Sequence, residues 1–264
     1  MDQTRFENAN KLWAAGRNED AAREFHAMAE EADYPDEKAG ILTNEHKCYL
    51  QIGQLDKAGE VMRQIRSLPV QDSFVRMIID IGDAFMTSQM GKLKEGIRKF
   101  ETILALNQEE LRNPEQRHLY EQIQQRRGIT LTDLCRYTEA LPILKEAVSF
   151  TSDKFDPQLV HFYLGVCYQN TSNPQLAKEA FLRAIDFGLN NDFEANARYR
   201  LAILYFINRA FAQAKYHLEA ALRMPEQALG VQLRKNIYQQ MSRTCHYLGE
   251  IEEEQKYSKL AQAS

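Results

Sequence analysis

Residues 157–184 read PQLVHFYLGVCYQNTSNPQLAKEAFLRA, and the fold is decided by what recurs from this stretch. Its first half places Leu164, Gly165 and Tyr168 on one side of a helix of 3.6-residue period. A break at Thr171–Pro174 follows. The second half then puts a small residue, Ala177, four positions before a large one, Phe181, with Ala184 three further on. That is i, i+4, i+7 spacing on a second helical face. The small residue lets a neighbouring helix approach, and the large one fills the space beside it.

Residues 195–221, ANARYRLAILYFINRAFAQAKYHLEAA, repeat the arrangement with Leu201, Ala202 and Tyr205, then Ala214, Leu218 and Ala221. Measured from the turn residue, the phrase recurs as Gly16–Ala21–Phe25, Gly53–Ala58–Met62, Gly91–Gly96–Phe100, Cys135–Ala140–Leu144, Ser172–Ala177–Phe181 and Arg209–Ala214–Leu218. It ends in a degraded form as Gly249–Glu254–Ser258. The starting points 16, 53, 91, 135, 172, 209 and 249 are spaced by 37, 38, 44, 37, 37 and 40 residues. A repeat of this length is one supersecondary unit that buries its apolar face only against its neighbours. Each unit reads as helix, short turn, helix.

This pattern resembles the tetratricopeptide-repeat (TPR) family, most closely in the fifth and sixth units quoted above. The resemblance covers essentially residues 2–263. It implies an all-α, right-handed α-solenoid of antiparallel helix pairs forming one domain over 1–264, with units near 2–34, 36–69, 71–112, 114–151, 156–188, 192–225 and 227–263. The chain departs from the family in places. Its period exceeds the family's 34 residues, and His46 stands where Gly or Ala is usual. The long third interval suggests elongated helices around Leu104–Asn113. Pro142 must lie in the first turn of a helix or kink it. Asn113-Pro114, Asp156-Pro157 and Asn173-Pro174 read as an Asx cap before a proline at the first helical position. The last stretch, EIEEEQKYSKLAQAS, keeps Ile251, Tyr257, Leu260 and Ala261 on an apolar side and reads as a terminal cap.

Composition agrees with this reading. The 264 residues are 44% hydrophobic, with 33 basic against 37 acidic residues and a net charge of −4. No Asn-Gly, Asp-Gly or Gly-Gly pair marks a tight hairpin, so a β-rich fold is unexpected. The charge disfavours nucleic acid as a partner, since phosphate contacts need a basic excess. No 18-residue apolar run is present, so no membrane span is expected. The polar start MDQTRFENAN is unlike a signal peptide. Cys48, Cys135, Cys167 and Cys245 are widely separated and read as free thiols of a cytoplasmic protein.

The sequence holds no nucleophile elbow, zinc-protease or phosphate-loop motif, and the one Gly-Lys pair, Gly91-Lys92, continues with Leu93. No pair of histidines or of histidine and cysteine has helix-face ligand spacing. We therefore expect neither catalysis, metal nor cofactor. The resemblance implies instead a concave groove, lined by the first helix of each unit, that holds a peptide or helix of a protein partner. Its slots carry over to Asn44, Lys47, Arg126, Phe162, Tyr163, Tyr199, Arg200, Phe206, Arg243 and Tyr247. Aromatic and arginine side chains dominate recognition surfaces, and they suit a partner segment with apolar and a few acidic residues. Alternatively Phe162 and Phe206 are core residues, and the arginines pair with Glu194 or Asp192. The family's carboxylate clamp needs a lysine where this chain has Phe6, one turn before Asn10, and is rejected. A second expectation is self-association into a homo-oligomer through apolar residues of the first helix, Phe6 and Trp13.

Overall fold

The computed structural model describes residues 3–150 and 156–263, and among them no strand occurs. The helices are α1 (Gln3–Ala14), α2 (Asn18–Glu31), α3 (Pro35–Gln51), α4 (Leu55–Ser67), α5 (Ser73–Gln89), α6 (Leu93–Leu106), α7 (Gln108–Arg112) and α8 (Arg117–Asp133). They continue with α9 (Tyr137–Ala147), α10 (Pro157–Asn170), α11 (Pro174–Asp186), α12 (Asp192–Ile207), α13 (Phe211–Leu222), α14 (Glu226–Leu248) and α15 (Ile251–Ala263). A single 3₁₀ turn, Pro114–Gln116, leads into α8.

All seven turn positions read from the repeat adopt the left-handed backbone conformation. They are Gly16, Gly53, Gly91 and Gly249 at φ 70° to 77°, and Cys135, Ser172 and Arg209 at φ 58° to 59°. The surrounding hydrogen bonds explain why. At Gly249 the amide donates to the His246 carbonyl and the next amide, Glu250, to the Cys245 carbonyl. Gly16 with Arg17, Gly53 with Gln54, Gly91 with Lys92, and Arg209 with Ala210 repeat this paired closure. A helix is thereby capped by a residue of positive φ, and the chain is turned back on itself. The carbonyl of the residue after each turn accepts from the small-slot amide four positions on, as Ala21 to Arg17, Ala177 to Asn173 and Ala214 to Ala210. The second helix therefore starts at a fixed offset from the turn, and its apolar face is set in register.

The repeated apolar positions form the core. Phe25, Phe100, Leu144, Phe181 and Leu218 are fully enclosed, as are the small residues Ala21, Ala58, Ala140, Ala177 and Ala214. Each large side chain contributes about 2–3 kcal/mol of burial. The chain divides into two compact units, Met1–Leu134 and Cys135–Ser264. In the first, a core of Ala21, Phe25, Leu42, Met62 and Ile65 lies among α1–α5, and a second of Met77, Phe100, Ile103, Leu119 and Ile123 lies among α5–α8. In the second unit, Phe162, Phe181, Leu201 and Leu204 form one core and Leu218, Ile237, Met241 and Tyr257 another.

Several local expectations are corrected. The extra residues of the third interval do not lengthen a helix. Helix α6 stops at Leu106, where Asn107 takes φ −118° and ψ 35° and its side-chain amide donates to the Ile103 carbonyl. The separate helix α7 follows and drops Leu111 into the core beside Leu119. Pro142 sits at the sixth position of α9, two residues past the first turn, with its ring toward solvent. Asp156 and Asn113 accept the amides of Leu159 and Glu115 as caps, whereas Asn173 turns its amide to the Thr171 carbonyl and caps nothing. In α15, Tyr257 and Ala261 are buried, but Ile251 is 65% exposed and Leu260 also faces outward. Helix α14 is broken at Gly230, whose φ of 58° interrupts the helical path.

Candidate functional site

In the second unit, α10 packs beside α12 and α12 beside α14, so the first helices of successive hairpins stand as neighbours. Their uncovered sides carry most of the expected contact residues. The side chains fall into two groups.

The first group centres on Arg200 of α12. Its guanidinium is half-buried, donates one hydrogen bond to the Gln169 side-chain oxygen of α10 at 3.1 Å, and lies 6.0 Å from the Phe162 ring centroid. Three tyrosines lie within electrostatic range of it: Tyr137 at the start of α9, Tyr163 on α10 and Tyr199 on α12. No carboxylate among the described residues pairs with it. Burial pushes the Arg200 pKa below its usual value. Burial likewise raises the Tyr199 hydroxyl, which stays protonated and able to donate, with Arg200 and Arg243 opposing the shift. Arg243, on α14, is exposed.

The alternative pairing with Glu194 does not occur. That carboxylate is buried and belongs to Arg198, at 2.7 Å, and to the Asn190 amide at 2.9 Å. Asp192 is exposed. Phe162 leaves the candidate surface. It is only 8% exposed and packs against Phe181, Tyr163 and Phe193, with ring centroids 5.3 to 6.1 Å away. The helical period places it one step toward the second helices, which the aromatic character of the residue did not reveal.

The second group is an aromatic stack. Tyr247, 62% exposed, lies parallel to Phe211 at 4.9 Å and 12°, and Phe206 meets both edge-on at 5.3 and 5.4 Å. Phe206 is half-buried. Phe211 and Tyr137 were missed in the sequence because they follow turns, on second helices. Their distance of two residues from Arg209 and Cys135 is the signal that could have found them.

In the first unit, Asn44 donates its side-chain amide to the Gly40 carbonyl at 3.1 Å and Lys47 is half-buried on the same helix, α3. Arg126, on α8, lies 5.6 Å from the Phe85 ring. The apolar residues expected to drive self-association are not free. Phe6 packs edge-on against Phe25 at 5.7 Å, and the half-buried Trp13 donates its indole N–H to Gln51. Among the described residues no group of three or more His, Cys, Asp or Glu side chains is placed to hold a metal ion, and no helix is long and apolar enough to cross a membrane. The cysteines form no disulfide. Burial pushes the thiols of Cys48 and Cys245 up to about 12 and about 11, so they are inert near neutral pH, while Cys135 is exposed.

No protein-family model matches the chain, and no curated protein does. Solved structures do. A tetratricopeptide-repeat protein from Parabacteroides merdae superposes on 99% of this chain and 92% of its own, with a TM-score of 0.57 at 16% identity. The fold is that of a tetratricopeptide-repeat protein. PilF of Pseudomonas aeruginosa is similar over 87% of this chain and 92% of its own, at a TM-score of 0.65 and 18% identity. A chain of the APC/C hetero-tetramer Cut9–Hcn1 matches 96% of this chain with 44% of its own, at 0.62 and 12%. At these identities the likeness is one of fold. The TPR arrangement explains why first helices gather on one side of the second unit and why the small residues sit at Gly165, Ala202 and Ala177.

Proposed function

We propose that this TPR chain is a non-catalytic protein-interaction scaffold that holds a peptide or helix of a partner on the face formed by α10, α12 and α14. The observation that carries this reading is the half-buried Arg200, which meets the Gln169 side chain at 3.1 Å and has no carboxylate partner among the described residues. Tyr137, Tyr163 and Tyr199, from three helices, lie within electrostatic range of it while packing their rings on the apolar cores. Tyrosine offers a flat apolar surface with a hydroxyl at its edge, and arginine a planar fork of donors. The Cut9–Hcn1 assembly supports the reading in kind, because there a similar helical array stands in a complex of several chains.

Affinity capture from lysate with the wild type and with Tyr199→Ala/Arg200→Ala tests it. The expected result is loss of specific partners from the double variant while its helical content is unchanged. Equal capture by both proteins would remove this face from consideration.

A further inference from the structure

We propose that Arg200 receives a carboxylate side chain from an otherwise apolar segment of the partner, beside the half-buried tyrosines of α10 and α12. The inference rests on the binding-face reading above and names the chemistry of its occupant.

The argument begins with charge. A guanidinium removed from water costs several kcal/mol unless a counter-charge and hydrogen bonds compensate it. Elsewhere in this protein that compensation is present. Asp83, buried in the first unit, holds Arg66 at 2.6 Å and Lys99 at 2.5 Å, and lines a cleft of about 600 Å³ whose central charges are thereby satisfied. Arg198 has Glu194, Arg127 has Glu101 and Lys215 has Glu250. Arg200 differs. Among the described residues its hydrogen-bond partner is one neutral amide, so four of its five N–H donors are uncommitted. The tyrosines within electrostatic range of it are neutral at physiological pH and do not balance its charge. The Tyr199 hydroxyl also has no partner among the described residues and can add a donor to an incoming oxygen.

The occupant follows from the count. One guanidinium matches one carboxylate, which it can grip through two parallel N–H···O bonds. A phosphate at neutral pH carries close to two charges, and the second cation here, Arg243 on α14, is exposed rather than half-buried as Arg200 is. Arg243 suits the approach of an acidic segment, as exposed rim charges do. The half-buried tyrosines suit apolar residues flanking the acid.

The test uses the full chain and three blocked peptides: acetyl-Ala-Phe-Glu-Leu-Ala-amide, the same peptide with Gln for Glu, and the same with phosphoserine for Glu. The readout is the Arg200 Nε–Hε resonance. The Glu peptide is expected to move this signal saturably, and the Gln peptide to bind about tenfold more weakly, as does the Glu peptide to Arg200→Gln. Arg200→Lys, which keeps charge without the fork, should recover part of the binding. If Arg200→Gln does not fold, the Glu and Gln peptides on the wild type decide alone. Equal binding of those two peptides, an immobile Arg200 signal at several millimolar peptide, or tighter binding of the phosphoserine peptide would each overturn the proposal. Should it fail while Tyr199→Ala/Arg200→Ala still loses partners in the capture experiment, the binding face stands and only its carboxylate chemistry falls. If both fail, so does the face.

Discussion

The imidazole of His46 on α3 rests against Gly82 on α5, with Nε2 3.3 Å from the Gly82 carbonyl oxygen and a ring carbon 3.3 Å from where a Cβ on that glycine would lie. On the other side, Nδ1 is 2.9 Å from the Ala58 carbonyl of α4. The bulky histidine in a slot that repeat proteins of this kind keep small is thus accommodated by removing a side chain from the facing helix. Burial holds the ring neutral, by pushing its pKa down, so it has one N–H for two carbonyl acceptors.

This relationship predicts coupling between the two positions. Gly82→Ala gains about 1 kcal/mol of helix propensity, but in the wild type the new methyl presses on the ring and offsets that gain. In a His46→Ala background the obstacle is gone, and the same substitution should stabilise by about 1 kcal/mol. Urea denaturation of the four proteins in the cycle measures this. An identical effect of Gly82→Ala in both backgrounds would show that ring and glycine do not constrain each other.

Two other glycines should respond differently to alanine. A Cβ on Gly165 would lie 2.5 Å from ring carbons of the fully enclosed Phe181, whereas one on Gly96 would meet mainly the Ser88 hydroxyl. The hydroxyl can rotate away, giving up its bond to the Ala84 carbonyl. The ring has nowhere to go. Gly165→Ala is expected to destabilise by about 1–3 kcal/mol through overpacking, and Gly96→Ala by less. Thermal unfolding of the pair ranks them, and the reverse order would mean that Phe181 repacks freely.

These glycines also show how far the sequence could be read. Phe181 was visible from spacing alone, because the small-to-large i, i+4 pair recurs six times before its degraded last form, and Gly165 stood out in the first-helix phrase that accompanies it. The seven turn residues were equally visible, even where Cys135, Ser172 and Arg209 replace glycine. Helix α7 was not. The length of the third interval showed that residues were inserted, but where α6 stops is decided by the backbone at Asn107 and the burial of Leu111. The contact face was legible by residue type and only partly by direction. Tyr163 and Phe162 are adjacent aromatics, yet a helical step of about 100° leaves one half-exposed and puts the other in the core. The lack of a carboxylate partner for Arg200 among the described residues depends on Glu194 choosing Arg198, which spacing could not decide.

The non-glycine turns carry strain that can be relieved. Ser172 holds φ 58°, a conformation that costs an L-residue roughly 1–2 kcal/mol relative to glycine, less what glycine loses in chain entropy. Ser172→Gly is therefore expected to raise stability by about 0.5–1 kcal/mol, and Gly53→Ala, at φ 70°, to lower it. The midpoint of urea unfolding checks both signs. Unchanged or lower stability of Ser172→Gly would mean that the serine turn is not strained.

Acid should unfold the protein in part through His217. Its ring is buried on α13, stacked on Tyr205 at 5.4 Å and 7°, with Nδ1 lacking any partner among the described residues. Burial first, and the nearby Arg198 second, push its pKa down to about 4 from an ordinary value near 6.5. The folded state therefore binds fewer protons than the unfolded chain between these values, and stability must fall as pH falls through that window. The contribution is fully present above pH 6.5 and lost by about pH 4, on the order of 3 kcal/mol in all. His46 shifts in the same direction, so the wild-type acid limb is a sum. His217→Phe keeps the aromatic stack on Tyr205 and removes the titration. Stability measured by urea unfolding between pH 7 and 4 should then decline less steeply in the variant than in the wild type. Parallel curves would show that His217 is free to protonate in the folded protein.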